Sequence, residues 1–379
     1  VDFKLADETV LVKNSARQYL KEKCPSSVVR EMIKDETGFS RKMWKEMAQL
    51  GWPGMLYEEQ YGGSAESTGS FFDFFIICEE TGRVLLPSPL FCSAVLSGLL
   101  LDTAGNADVK KALLPAIVEG QKIFTTALLN EQGRSDHHDP AVQARRNADG
   151  SYALSGTRIL VPYAHVADAI LLCAQTQTPE AKGPCLFLVD GKTPGRTLTP
   201  LETMSGGKSF AVTYDGARVG PEGLLGEPGR AGHYVDSVLP RVTALRCGEM
   251  LGGMQRTVEM TVNYVKERKQ FGAPLGSLQA VQHHCADMAT WLESSRLIAY
   301  QAASLIGDGM PAEKETAMAK AWCSDAYKKC TWIGHQLHGG IGFTEEFDMH
   351  LYYKHAKECE LLFGDARFHR SRVADALNI

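Results

Sequence analysis

The sequence predicts an α+β protein with helices at both ends of the chain and a β domain between them. Three observations carry this. Residues 1–121 place apolar side chains at helical spacing. From Lys122 the pattern changes to short β-type segments bounded by Gly, Pro, Asp and Asn, through about residue 225. From 226 to 379 the helical period returns, with Cys247, Met250, Leu251, Met254, Val258, Thr261, Val262 and Val265 recurring at steps of three and four.

The N-terminal part opens with a helix over Leu5–Lys21, apolar at Val10, Leu11, Ala16 and Leu20 and acidic in its first turn. Phe39-Ser40, then Trp44, Met47 and Leu50, read as a helix ended by Gly51. Gly62-Gly63 and Ser64 to Gly69 read as a loop. Phe71–Leu86 and Pro89–Leu101 are largely apolar, as expected of helices covered on several sides, and Val109–Val118 is a further helix ended by Gly120. Strands are expected at Phe124–Leu129, Tyr152–Leu154, Ala169–Ala174, Cys185–Asp190 and Phe210–Val219, and Gly223–Gly232 is the linker back to helix. In the C-terminal part, Gly272, Pro274 and Gly276 stop one long helix, and a second resumes near Leu278 through Val281, Met288, Trp291 and Leu292. Two long helices joined by a short turn form an antiparallel pair.

A chain of 379 residues, 44% hydrophobic and 22% charged, is long enough for two or three domains and has the composition of a soluble globular protein. A net charge of -5 gives no reason to propose nucleic acid or an anionic membrane. The ten cysteines are scattered without a Cys-x-x-Cys pair, and most lie in apolar runs, which points to a reduced, cytoplasmic setting. No signal peptide is visible, and no apolar run is long enough to span a bilayer.

Lys266-Glu-Arg-Lys-Gln-Phe-Gly272 lies at the exit of the long helix, where Arg268 can complement the helix C-terminus or grip a phosphate as a bidentate fork. Arg268-Lys-Gln-Phe-Gly272, with Leu278-Gln279 and Ala286-Asp287-Met288, resembles the flavin-binding signature of the acyl-CoA dehydrogenase family. Gln336-Leu-His-Gly-Gly-Ile-Gly342 and Leu50-Gly-Trp-Pro-Gly-Met-Leu-Tyr-Glu-Glu-Gln-Tyr-Gly-Gly63 resemble it too, in the same order and spacing over nearly the whole chain. The resemblance implies an N-terminal helical domain over residues 1–121, a middle β domain (barrel or sandwich) over 122–225 and a C-terminal four-helix bundle over 226–379. It implies FAD as cofactor. Arg268 would hold the pyrophosphate, Phe271 pack against the cofactor, and Gln270 and Gln279 belong to its site. Gln336, Gly339, Gly340 and Gly342 would reach the adenosine part of a flavin shared with the adjacent subunit. Asn130 and Ser135, in Leu129-Asn-Glu-Gln-Gly-Arg-Ser-Asp136, match the flavin-contacting loop in part, with Gln132 where the family has Pro. Ile159-Leu-Val-Pro-Tyr163 stands where the family carries Trp and Thr.

The implied reaction converts an acyl-CoA to the 2-enoyl-CoA, in acyl-CoA or fatty acid catabolism. A carboxylate takes the α-proton while the β-hydride goes to flavin N5, so the base needs a pKa raised by burial. Phe363 occupies one usual position of that glutamate and Val242 the other. Glu249, seven residues beyond Val242 and on the same helix face, is the first candidate base, against an ion pair with Arg246. Asp365 is the second, against an N-cap of the last helix. The alternatives are a non-catalytic or flavin-sharing subunit of a heteromer, or an enoyl-CoA reductase of the same fold. The resemblance further implies an electron-transferring flavoprotein as acceptor and a homo- or heterotetramer, and the lost base positions lean towards a bulky, branched or cyclic acyl group. His137-His138-Asp139, His283-His284 and His335-x-x-His338 lack a second ligand cluster at metal spacing, so no metal is expected.

Overall fold

The computed structural model describes residues 5–65, 70–178 and 181–379. Helices α1 (Asp7–Lys23), α2 (Ser26–Lys34), α3 (Arg41–Gln49) and α4 (Ser70–Val84) come first. A π-helical turn (Phe91–Ser97) then runs into α5 (Gly98–Ala104), followed by α6 (Ala107–Val118). Local chemistry sets the ends. Ser40 Oγ accepts from Met43 N–H at 3.3 Å and Asn106 Oδ1 from Val109 N–H at 2.9 Å. These are the side-chain caps that helix N-termini need. Residues 66–69 of the expected loop lie outside the described residues.

Eight strands follow: β1 (Phe124–Ala127), β2 (Gln143–Arg146), β3 (Tyr152–Pro162), β4 (Ala169–Thr178), β5 (Ala181–Asp190), β6 (Arg196–Leu201), β7 (Ser209–Val219) and β8 (Leu224–Leu225). They form one mixed sheet in the order β6-β7-β3-β2-β4-β5-β8, with β1 added parallel to β4. In a flat sheet β3 and β5 would stand about 14 Å apart, three strand spacings. Yet Tyr152 of β3 meets Phe187 of β5 with ring centroids at 5.0 Å. The sheet therefore folds over, sandwich-like, around a core that includes Leu154, Ile170, Phe187 and Val212.

The last part is helical apart from one hairpin: α7 (Ala231–Glu267), β9 (Lys269–Gln270), β10 (Ala273–Pro274), α8 (Gln279–Gly307), α9 (Glu313–His338), a 3₁₀ turn (Gly339–Phe343), α10 (Met349–Leu361) and α11 (Ala366–Leu377). The chain condenses into two compact units whose boundaries fall inside α2 after Arg30, on either side of α4 (ahead of it and after Leu86), and inside α7 before Pro240. One holds α1, α4, α7 from Pro240 onward and α8–α11; the other holds α3, α5, α6, the sheet and the first turns of α7.

In the first unit, α4 and α7 touch backbone to backbone. A Cβ on Gly252 would overlap the Glu79 carbonyl, and one on Gly82 would overlap the backbone of Glu249. Beside this contact Glu79 is buried and takes Lys13 (2.9 Å), Arg296 (2.8 Å) and the Tyr300 hydroxyl (2.7 Å). Burial alone would raise its carboxyl; Lys13 and Arg296 outweigh that and hold it below the ordinary range. It therefore remains charged and ties α1, α4 and α8 together.

Candidate active site

Glu249 sits on α7 at its closest approach to α4 and forms an ion pair with Arg246 one turn earlier. Burial lifts its carboxyl above the ordinary carboxylate range; Arg246 opposes the rise and Glu358 of α10 adds to it. The Arg246 guanidinium also lies over the Phe363 ring, 5.8 Å from its centroid. Val242 is fully buried. Neither Glu358 nor the neighbouring imidazole of His355 carried a signal in the sequence beyond the His-x-x-x-Cys spacing of His355 and Cys359. His355 Nδ1 meets the Tyr327 hydroxyl at 3.2 Å and its Nε2 meets Cys359 Sγ at 3.4 Å. Burial, with Arg246 adding to it, pushes the imidazolium down to about 3, so the ring is neutral.

Asp365 caps α11 and is exposed. Its Oδ1 accepts from Phe368 N–H at 2.8 Å, the alternative the sequence offered. The turn before it is pinned from two sides. Lys320 Nζ donates to Glu360 O (3.1 Å) and Gly364 O (2.8 Å), and His369 Nε2 donates to Phe363 O at 2.9 Å.

At the end of α7, Lys269–Gln270 and Ala273–Pro274 pair as a two-residue hairpin. Phe271 (φ 55°) and Gly272 (φ 80°) form its loop. Theirs is the left-handed backbone of a type I′ turn, in which Asn-Gly is the usual pair. Phe271 is 87% exposed, and Arg268, Gln270 and Gln279 are exposed around it. Gln336, Gly339 and Gly340 are exposed at the end of α9, while Gly342 is buried against His335 and His338. The two turns are brought together by Tyr264, whose ring stacks on His338 at 4.4 Å and whose hydroxyl donates to His338 O at 3.3 Å. Sequence reasoning did not single out Tyr264.

In the second unit, Asn130 shapes its own loop: Oδ1 accepts from Gln132 N–H (3.1 Å) and Arg134 N–H (3.0 Å), the usual work of a turn asparagine. Ser135 Oγ lies 2.7 Å from His137 Nδ1. Asp136 anchors the loop through an ion pair with the fully buried Arg158, which also donates to Cys173 O at 3.0 Å. In the Ile159–Tyr163 segment, Leu160 (φ 52°) and Tyr163 (φ 53°) are held in the left-handed region. Leu160 lies where β3 slips register against β7, and Tyr163 directly follows the end of β3. With Phe271 and Phe363 (φ 60°), four of the six positive-φ non-glycine residues among those described fall in the motif segments. Such backbone strain persists only where the surroundings enforce it.

Comparison with known proteins agrees with this architecture. The N-terminal domain of acyl-CoA dehydrogenases matches residues 6–121 and their C-terminal domain residues 234–378. The mitochondrial short-chain specific acyl-CoA dehydrogenase of Bos taurus is 31% identical over 95% of this chain and 89% of its own. The butyryl-CoA dehydrogenase structure from Megasphaera elsdenii superposes with a TM-score of 0.92 at 25% identity, covering 100% of each chain. The ChsE4-ChsE5 complex from Mycobacterium tuberculosis gives 0.88 at 28% identity, covering 100% of this chain and 99% of that one. The chain belongs to the acyl-CoA dehydrogenase family, the FAD-dependent oxidoreductases that act on acyl-CoA thioesters.

The residues present fit FAD. Gly340 has no left-handed backbone and nothing within 4 Å of where a Cβ would stand, so no packing inside the chain requires glycine there. Gly339 (φ 62°) borders the same open space. A nucleotide approaching from outside would use both. Arg268 and Phe271 are exposed, leaving a guanidinium fork and an aromatic face open to a ligand.

Proposed function

We propose that the chain oxidises an acyl-CoA thioester to the 2-enoyl-CoA with Glu249 as the base. The observation that supports this is a carboxylate on α7, lifted above its ordinary range by burial, in a region of the chain where both usual base positions carry no acid. FAD, when bound, would supply the two-electron oxidant for loss of the β-hydride. Glu249 takes the α-proton on a carboxylate oxygen, and the substrate loses two electrons and two hydrogens in all. Arg246 orients that carboxylate without neutralising the effect of burial, and Glu358 strengthens its hold on the proton. Arg268, Gln270, Phe271 and Gln279 hold the pyrophosphate end of the cofactor, and Gln336, Gly339, Gly340 and Gly342 its adenosine end. Asn130 and Ser135 contact it from the β-domain loop. Asp365 serves as a helix cap and not as a base.

The assembly is a tetramer, electrons leave to an electron-transferring flavoprotein, and the acyl group is bulky, branched or cyclic. All ten cysteines are free, which agrees with a cytoplasmic setting. No helix among the described residues is long and apolar enough to cross a membrane.

The test is anaerobic titration of the FAD-loaded protein with a panel of acyl-CoAs. Wild-type flavin should bleach. Glu249→Gln should bind FAD with an unchanged spectrum and bleach about 10²- to 10⁴-fold more slowly, the range for loss of a general base. Wild-type bleaching rates in that variant reject Glu249.

A second reading, a flavin-sharing subunit in a heteromer, rests on the resemblance: it aligns Val242 and Phe363, neither of them an acid, with the usual base positions. Flavin bleaching by this chain alone excludes that reading. Bleaching only after co-expression with a second family member establishes it.

A further inference from the structure

The loop between β1 and β2 carries His137 and His138, and the first turns of α7 carry Asp236, about a hundred residues away. His137 Nε2 lies 3.0 Å from Asp236 Oδ1, and His138 Nε2 lies 2.8 Å from Oδ2. One carboxylate thus spans two adjacent imidazoles, and the ligand-type atoms of all three residues lie within 4.8 Å of one another. Two further features shape the cluster. Ser135 Oγ, 2.7 Å from His137 Nδ1, partners the outer ring nitrogen and leaves Nε2 aimed at the carboxylate. Gly232, one turn before Asp236, makes room for the second ring: a Cβ there would overlap the His138 imidazole.

We propose that His137, His138 and Asp236 form a binding site for a divalent cation of the zinc class, one that takes no part in the oxidation itself but anchors the loop carrying Ser135. Two imidazoles with one carboxylate suit zinc, whereas magnesium and calcium take oxygen ligands. Around a tetrahedral zinc with bonds of about 2.0–2.2 Å, ligand atoms stand about 3.3–3.5 Å apart. The nitrogen–oxygen gaps of 3.0 and 2.8 Å, each to a different carboxylate oxygen, lie a few tenths of an ångström below that spacing, and the wider separations, up to 4.8 Å among the three ligand atoms, close as the side chains draw in around the ion. The cation replaces the protons that now lie between nitrogen and carboxylate oxygen. On His137 the displaced proton moves to Nδ1, which donates to Ser135 Oγ, the outer partner that zinc-bound imidazoles usually have. The side chains of His138 and Asp236 are 65% and 40% exposed, so the fourth coordination position faces solvent and takes water or a small anion. The bound ion ties the Leu129–Asp139 loop, with Ser135 and Asp136, to the start of α7.

The full-length, FAD-loaded protein is stripped with chelator and titrated with Zn²⁺ against a chromophoric competitor, then with Co²⁺ in the visible range. One equivalent per chain at submicromolar Kd, with the intense bands of four-coordinate cobalt, is the expected result. His138→Ala and Asp236→Asn should each weaken Zn²⁺ at least tenfold while the flavin spectrum is kept, and the His283→Gln/His284→Gln double variant should bind as wild type. No wild-type binding at submicromolar Zn²⁺, equal affinity in His138→Ala, or loss of the ion in the His283/His284 variant overturns the site. Because His138 is exposed, its variant decides the question even where Asp236→Asn does not fold.

Discussion

Glu249 and Asp365 have the same functional group and opposite surroundings. Asp365 is exposed and hydrogen-bonded to the N-terminus of α11. Asp365→Ala should therefore lower stability by about 1 kcal/mol, the usual worth of an N-cap, and leave the rate of flavin reduction unchanged. Denaturant midpoints beside stopped-flow bleaching separate the two effects. Glu249 has its carboxyl raised by burial, so the folded state holds the proton more tightly than the unfolded chain does. Its contribution to stability is complete below the unfolded value of about 4.3 and is lost as pH rises through the higher folded value. Measured from pH 4 to pH 7, the stability of Glu249→Gln relative to wild type should rise. A difference that stays flat or falls shows that the carboxylate is not held in its acid-favouring state. The candidate acid was legible in the sequence because helix periodicity places residue 249 on the face of residue 242. Glu358 was not, because its approach depends on how α10 packs, which no local spacing encodes.

At the scale of elements, glycines divide into those packing requires and those it does not. Gly252→Ala drives a methyl into the Glu79 carbonyl. It should destabilise the chain by about 1–3 kcal/mol or more, read as a fall in Tm. Gly340→Ala meets open space. It should leave the apoprotein within about 0.5 kcal/mol of wild type while weakening FAD binding. A matching fall in both quantities would place Gly340 in the fold and not in a nucleotide contact. Phe271→Asn creates the favoured Asn-Gly pair of a type I′ turn. It should stabilise the apoprotein by about 1 kcal/mol, since strained φ values cost about that much or more, and weaken FAD binding because the aromatic face is lost. Long periodic helices and apolar strands were legible along the chain. Several elements were not, among them β8, which lies in the stretch read as a linker. β2 reads Gln-Ala-Arg-Arg with one buried residue, and β6 is an edge strand containing Pro200, so neither shows alternation. The short α2 buries only Val29. The turn after Arg268 was legible from its glycines and proline; that it closes as a paired hairpin came from backbone pairing alone.

For the molecule as a whole, family membership follows from motifs spread through the chain, whereas His137, His138 and Asp236 meet only through folding. The sequence placed two histidines beside Asp139 with no second ligand cluster at metal spacing; α7 brings Asp236 to them from about a hundred residues on. FAD that binds the native and not the unfolded chain should raise Tm, by an amount that grows with free FAD concentration. In Arg268→Gln that rise should shrink, with the apoprotein Tm unchanged because Arg268 is exposed. The clasp between Tyr264 and His338 gives the two exposed turns a common fate. Since one ring is shared by the roots of both, a disturbance of either root is inherited by the other turn, and a nucleotide held as proposed would meet one instrument with two fingers. Tyr264→Ala, which removes no group assigned to the cofactor, would then loosen both fingers together, and affinity for FAD would be set partly by a residue that never touches it.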